Sequence, residues 1–147
     1  MKKFLAPFVL ITVLAASAFA QTVGIGAPAD GATVHPGKTL TVEVDRPDTL
    51  TGSTEIAIVI GFQSCTGFPA GCPPPADLMG TILFNGPYDP EFHTDVTPSK
   101  PPYQNFTVTI PASAPKGPAQ LNLAHFALVG ASEFPFLETR NITLKVV

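Results

Sequence analysis

The chain has 147 residues, with 8 basic and 11 acidic side chains and a formal net charge of −3. We expect residues 1–20 to be a secretory signal, because two lysines precede a short apolar run that ends in the small-x-small pattern of residues 18–20. Cleavage after Ala20 removes those lysines and leaves 6 basic against 11 acidic groups, a formal charge of −5. Such an acidic chain lacks the basic face that nucleic acid and anionic membranes require, which excludes both as partners.

The apolar run of the expected signal covers about 13 residues, whereas a membrane-spanning helix needs about 20. The C-terminal residues 144–147 lack the polar spacer and hydrophobic tail of a GPI-anchor signal. The sequence therefore predicts a secreted, extracellular protein with no membrane span after signal cleavage. A retained, uncleaved anchor is the alternative, and an N-terminal sequence beginning at Met1 would establish it.

Cys65 and Cys72 are the two cysteines of the chain. In an oxidising compartment a close pair most simply forms one disulfide, which here closes a local loop and stabilises it by about 2.5 kcal/mol. The spacing is not the Cys-x-x-Cys of redox motifs, and no further thiol is available as a zinc ligand.

Two N-x-[ST] sequons, beginning at Asn105 and Asn141, lie in the mature chain. In a eukaryotic secretory route both are candidate N-glycosylation sites, which requires that the asparagine side chains be exposed. Chance occurrence is the alternative for so short a pattern.

Strand-forming stretches rich in Val, Ile, Leu, Phe and Thr are separated by prolines, which break helices and interior strands. Residues 39–46 alternate strictly and predict a half-buried strand, and residues 55–62 are apolar on both faces and predict a central one. Further strand segments are residues 22–26, 32–34, 78–84, 106–110, 119–129 and 141–147. About seven strands predict an all-β, Ig-like antiparallel β-sandwich that occupies residues 21–147 as one domain.

Residues 85–104 form a long segment with five prolines and no periodicity. Such segments are uncommon in compact domains and are often functional. We favour a proline-stiffened crossover between the sheets. The alternative interpretation is a binding loop, whose candidate contact residues are Tyr88, Phe92, His93 and Tyr103.

The opening of the mature chain, residues 28–42, contains a Pro-x-x-Gly turn and a Pro-Gly turn that lead into an alternating strand. Together with the signal, the local cysteine pair, the sequons and residues 134–144, it resembles small secreted Ig-like β-sandwich proteins of filamentous fungi. The chain is also remotely similar to the N-terminal domain of the fungal Ser/Thr-rich GPI-anchored cell-wall family. The resemblance implies fold and location, but the stalk and the GPI tail of that family are missing here.

Catalytic signatures are weak, and we predict no catalytic residues, no metal ligands and no cofactor. The chain has no Gly-x-Ser-x-Gly elbow. Acid pairs such as Asp89/Glu91 exist, but glycosidase clefts usually also offer aromatic platforms, and tryptophan is absent from the sequence. Copper-dependent polysaccharide oxygenases, which resemble this class in outline, use an amino-terminal histidine where the mature chain would begin with Gln21.

The histidines His35, His93 and His125 are spaced too far apart to indicate a metal site. His125 lies in an apolar stretch and is expected to be a core or interface residue with one hydrogen bond. Calcium is the better metal alternative, since three acids crowd the long loop and carboxylate oxygens suit this ion. These acids are Asp89, Glu91 and Asp95.

Two functions from different classes follow. The first is a non-catalytic extracellular or cell-wall-associated binding module whose partner is a wall polysaccharide or an extracellular protein. The second is a secreted enzyme that acts on wall polysaccharide, with Asp89 or Glu91 as the acid or base.

Overall fold

A computed structural model describes residues 22–49, 51–95 and 100–147; the expected signal and Gln21 lie outside them. The described residues form eight strands and no helix. No helix capable of crossing a bilayer therefore occurs among them. In chain order the strands are β1 (Gly24–Ala27), β2 (Ala32–Val34), β3 (Thr39–Asp45), β4 (Ser53–Ser64), β5 (Thr81–Pro87), β6 (Tyr103–Thr109), β7 (Gly117–Val129) and β8 (Phe134–Val146).

The strands form two sheets that enclose a common core. One sheet has the order β1-β3-β6 and the other the order β2-β8-β7-β4-β5. The inward residues of β3 and β6, such as Val42 and Phe106, belong to the same buried cluster as Ile58, Ile60 and Leu121 of the larger sheet. This confirms an all-β fold, as the alternating segments predicted.

The prediction that all strands pair antiparallel is wrong at one place, because β2 runs parallel to β8. The preceding turn fixes this arrangement. Gly31 N–H donates to the carbonyl of Thr143 at 2.9 Å, and the Asp30 carboxylate accepts from the backbone N–H and the hydroxyl of Thr143, each at 2.7 Å. The turn thus places three-residue β2 beside the end of β8.

Strand β5 covers Thr81–Pro87 rather than the predicted 78–84. Residues 78 and 79 instead cross the outer face of the larger sheet, where their carbonyls lie 3.1 and 3.4 Å from Nδ2 of Asn122. Gly61 of β4 permits this crossing, because a Cβ there would collide with the carbonyl of Met79. The apolar pattern of residues 78–84 predicted a strand and did not reveal that residues 78 and 79 cross the sheet.

Strand β8 begins at Phe134, seven residues before the predicted start. Pro135 argued against a strand here, but it pairs with Leu128. On its other side β8 is paired with β2 only from Leu144 onward. Proline is tolerated because the early part of β8 is an edge, where no donor is needed on one side.

The predicted disulfide is confirmed: Cys65 and Cys72 are bonded, with 4.9 Å between their Cα atoms. Cys65 directly follows β4, and its N–H donates to the carbonyl of Pro118 at 2.9 Å. The bridge therefore fixes the loop that leads from β4 to the segment crossing the sheet.

Candidate functional site

A buried ionic network lies between the sheets at the end where β4 begins. His125 of β7 points inward and is 1% exposed. Its neighbours across the sheet are Glu55 at the start of β4 and Glu138 of β8, both with side chains at most 10% exposed. Three titratable side chains from three strands thus meet in the interior.

Both ring nitrogens of His125 contact carboxylates. Nε2 lies 2.5 Å from Oε2 of Glu55, and Nδ1 lies 3.1 Å from Oε1 of Glu138. An ionised carboxylate only accepts hydrogen bonds, so each nitrogen must donate. This geometry selects the imidazolium form of His125, with two hydrogen bonds where the sequence predicted one.

Two arginines and the N-terminal segment complete the network. Nε of Arg46, which follows β3, lies 3.1 Å from Oε1 of Glu55. Glu138 is paired with Arg140 at 3.0 Å, and it accepts from Val23 N–H at 2.7 Å. Because Arg46 and Val23 flank strands of the smaller sheet, the network joins the two sheets at this end.

Opposing forces set the pKa values of the network. Burial by itself lowers the pKa of His125, but hydrogen bonds to Glu138 and Glu55 outweigh it and raise the pKa above its usual value. Burial by itself raises the pKa of Glu55, but hydrogen bonds from His125 and Ser53, the charge of His125 and the bond from Arg46 hold it below its usual value. The folded protein therefore favours the ionised form of both groups.

We expect a maximum in the contribution of this network to stability between about pH 4.5 and pH 6.5. The raised pKa of His125 means that its contribution is complete below about 6.5 and is lost as the pH rises through the folded value. The lowered pKa of Glu55 means that its contribution is complete above about 4.5 and is lost on acidification. The free energy of unfolding is measured in urea from pH 3 to pH 9 for the wild type and for His125→Leu. The difference between the two proteins isolates the contribution of His125, which is the part lost at alkaline pH. A difference that stays constant above pH 6.5 would contradict the assignment.

The hydrogen bonds of the ionic network limit the chemistry that Ser53 can perform at this end of the two sheets. The Ser53 hydroxyl lies 2.5 Å from Oε1 of Glu55 and bonds to that carboxylate, not to the imidazole. A nucleophilic serine needs a base that can take its proton. Because both ring nitrogens already donate, His125 has no free lone pair with which to act as a base. Ser53, Glu55 and His125 therefore have the contacts of a structural network.

A second arrangement lies on the outer face of the smaller sheet, where the long loop returns to β6. Glu91 pairs with Tyr103 through two backbone hydrogen bonds of 3.2 and 3.0 Å. The ring of His93 then stacks on the ring of Tyr103, with centroids 4.0 Å apart and planes at 26°. The Lys100 ammonium lies 5.3 Å from the centroid of the Tyr103 ring. Loop residues thus cover Tyr103, which is 8% exposed.

An open groove of about 460 Å³ runs beside this stack. Its lining residues are Asp48, Phe92, His93, Thr94, Lys100 and Pro101. Phe92 is 65% exposed, whereas eight of the ten aromatic residues that the structure describes are buried or half-buried. We call this feature the aromatic groove.

A carboxylate pair on β3 anchors one wall of the aromatic groove. Glu43 Oε1 accepts from the Lys100 ammonium at 2.6 Å, and Asp45 lies next to Glu43 on the same face. Burial and the neighbouring Glu43 raise the pKa of Asp45, although Lys100 opposes the shift. Gly26 of β1 makes room for both acids, since a Cβ there would lie 2.5 Å from an oxygen of each.

The structure brings together three of the four predicted binding residues, namely Phe92, His93 and Tyr103. Tyr88 lies apart: it is 2% exposed, its hydroxyl donates to the Val44 carbonyl at 3.1 Å, and its ring meets His125 edge-on at 5.5 Å. Burial beside Glu55 and Asp45 raises the pKa of Tyr88 far above its usual value. Its aromatic ring therefore serves the core and presents no contact surface.

The predicted long loop is shorter than expected, because β5 extends to Pro87 and β6 begins at Tyr103. The three acids considered for calcium are exposed, and no group of three or more candidate metal ligands occurs among the described residues. The sequon asparagines Asn105 and Asn141 are both exposed, as glycosylation requires.

Sequence reasoning missed the partners that organise both sites. Glu55 is 70 residues from His125 and Glu138 is 13 residues from it. The signal available was the acid Glu55 at the start of an otherwise apolar segment. Likewise, Glu43 sits in the alternating strand as an ordinary outward residue, and its contact with Lys100 spans 57 residues.

The fold and these sites define a two-sheet, all-β domain with an ionic network at one end and an aromatic groove on its smaller sheet. The sequence model of the Nis1 family matches residues 18–145, so the chain belongs to the Nis1 family. A comparison with curated proteins finds no match. The resemblance to the fungal cell-wall family stays a prediction.

Solved structures offer distant likenesses. A variant of the superoxide reductase (neelaredoxin) from Ignicoccus hospitalis is 16% identical with a TM-score of 0.48, over 86% of this chain and 81% of that chain. A cellulose-active polysaccharide monooxygenase from M. thermophila is 19% identical with a TM-score of 0.45, over 81% of this chain and 54% of that chain. We draw no argument about activity from either.

Proposed function

We propose that the protein is a secreted, non-catalytic binding module with an Ig-like sandwich fold, and that it binds its extracellular partner through the aromatic groove. The observation that carries the proposal is the solvent-exposed ring of Phe92 beside the braced His93–Tyr103 stack. Exposed rings on a fixed support offer large contact area at low entropic cost.

The groove suits a polysaccharide of the cell wall best. Sugar rings present apolar faces that pack on aromatic rings and hydroxyls that bond to polar groups. The groove supplies Phe92 for the first and Asp48, Thr94 and Lys100 for the second. An extracellular protein is the other partner class, and it becomes the favoured one if no polymer is retained.

We expect Phe92→Ala to weaken retention on the bound polymer about 5- to 30-fold, the effect of losing a contact worth about 1–2 kcal/mol. The measurement is depletion of the purified protein by insoluble chitin, β-glucan and whole fungal wall. Phe134→Ala is the matched control, because Phe134 is 64% exposed but lies at the start of β8. Equal retention of both variants and the wild type would remove the groove from the proposal.

The alternative is a secreted enzyme on wall polysaccharide, for which the sequence indicates Asp89 or Glu91 as the acid or base. One further observation favours it, because Glu43 and Asp45 lie side by side on β3 and burial beside Glu43 raises the pKa of Asp45. Release of soluble sugar from wall polymer, lost in Asp45→Asn, would support it. Binding without any released product favours the non-catalytic module.

A further inference from the structure

The sequon asparagine Asn105 lies on the same outer face as the aromatic groove. In the antiparallel pair of β3 and β6 it stands directly opposite Glu43, and such opposed residues have Cβ atoms about 4.5–5.5 Å apart. Glu43 in turn holds Lys100, which lines the groove. Asn105 also follows Tyr103 by two residues, so both side chains leave β6 on the same side.

The strand geometry makes Asn105 an accessible acceptor. Strand β6 is an edge of its sheet, and Asn105 is exposed while the next residue, Phe106, points into the core at 4% exposure. In glycosylation the amide nitrogen loses a proton and bonds the anomeric carbon of a sugar–diphosphate donor, from which the diphosphate leaves. The attached glycan is bulky and hydrophilic.

We propose that an N-linked glycan on Asn105 shields the aromatic groove, so that glycosylation of this one residue regulates access to it. The proposal rests on the proposed function for its biological meaning, although the shielding itself depends only on geometry. The second sequon provides an internal comparison. Asn141 lies on the opposite sheet, on the outer face of β8 and across from Asn122, so a glycan there leaves the groove open.

The test uses the full chain secreted from a glycosylating eukaryotic host, as wild type, Asn105→Gln, Thr107→Ala and Asn141→Gln. Glycopeptide mass spectrometry gives the occupancy of each sequon. Hydroxyl-radical footprinting then compares the oxidation of Phe92 with that of Phe134, whose exposure is nearly the same. We expect a loss of Phe92 oxidation in the wild type and in Asn141→Gln, and its recovery in Asn105→Gln and Thr107→Ala, with Phe134 unchanged in all four.

Retention on insoluble chitin and β-glucan is measured on the same four proteins. Stronger retention of the two variants that lack the first sequon supports both shielding and the proposed function. Recovery of Phe92 oxidation without retention of any form supports shielding and counts against the polysaccharide partner. An unoccupied Asn105 in the secreted wild type, or Phe92 oxidation that is equal in all four proteins, overturns the proposal.

Discussion

His125→Leu is expected to lower the free energy of unfolding by about 3–5 kcal/mol, the cost of removing one partner from a buried ionic group. The substitution leaves Glu55 and Glu138 facing an apolar side chain where each had a charged donor. Since a domain of this kind is stable by about 5–15 kcal/mol, the loss is a large part of the total. Urea unfolding near pH 5.5, where the imidazolium is fully formed, measures it.

His35→Leu is the matched control, because His35 lies in an exposed turn and is expected to change stability by no more than about 0.5 kcal/mol. A second comparison tests the mechanism. Adding Glu138→Gln to His125→Leu removes one of the two carboxylate charges that have lost the imidazolium. The double variant should therefore recover part of the lost free energy of unfolding. If the double variant is less stable by the sum of the two single effects, the network is not the cause.

Gly61→Ala is expected to cost about 3 kcal/mol, at the upper end of the range for overpacking. The new Cβ would collide with the carbonyl of Met79, whose carbon would lie 3.1 Å away. The crossing segment must then move, which removes the hydrogen bonds of the buried Asn122 amide to the carbonyls of Leu78 and Met79. Thermal and urea unfolding report the loss.

Gly24→Ala distinguishes crowding at Gly61 from the general effect of a strand glycine. Gly24 also lies in a strand, and a Cβ there meets nothing within 4 Å. Alanine should therefore stabilise the protein by about 0.4–1 kcal/mol through the unfolded chain. If Gly61→Ala and Gly24→Ala lower the free energy of unfolding by similar amounts, the contact with Met79 is not the cause of the loss.

The sequence was sufficient for the parts of the fold that depend on local pattern. Residues 39–46 alternate because one face of β3 is buried, and the prediction matches Thr39–Asp45 within one residue. The closeness of Cys65 and Cys72 in the chain makes their disulfide a local event as well. Period and spacing are properties of neighbouring residues, and these features need nothing more.

The ionic network and Tyr88 show what local pattern does not contain. Tyr88 looked like a loop residue among prolines, but the chain crosses between the sheets there and its ring enters the core. Glu55 is 70 residues from His125, and only the register of β4, β7 and β8 brings them together. Such pairings follow from tertiary register, which the local pattern of the sequence does not specify.

The aromatic groove is an intermediate case. The proline-rich loop indicated Phe92, His93 and Tyr103 as contact residues, and the structure places these three side by side; their role in binding stays a prediction. The loop gave no sign that Glu43 binds Lys100 of the groove, because this acid belongs to a strand that appeared to be an ordinary half-buried element. The sequence therefore indicated the loop residues of the groove but not the strand residue that binds Lys100.

The parallel pairing of β2 with β8 affects the order in which the chain can fold during synthesis. Asp30 and Thr143, which hold this pair in place, are separated by 113 residues. Contacts so distant in sequence close slowly, and they cannot form before the second partner has left the ribosome. Until β8 emerges, β2 has no neighbour and β7 has one bare edge, so the nascent chain exposes strand edges that favour aggregation. The larger sheet can therefore be completed only after β8 has emerged.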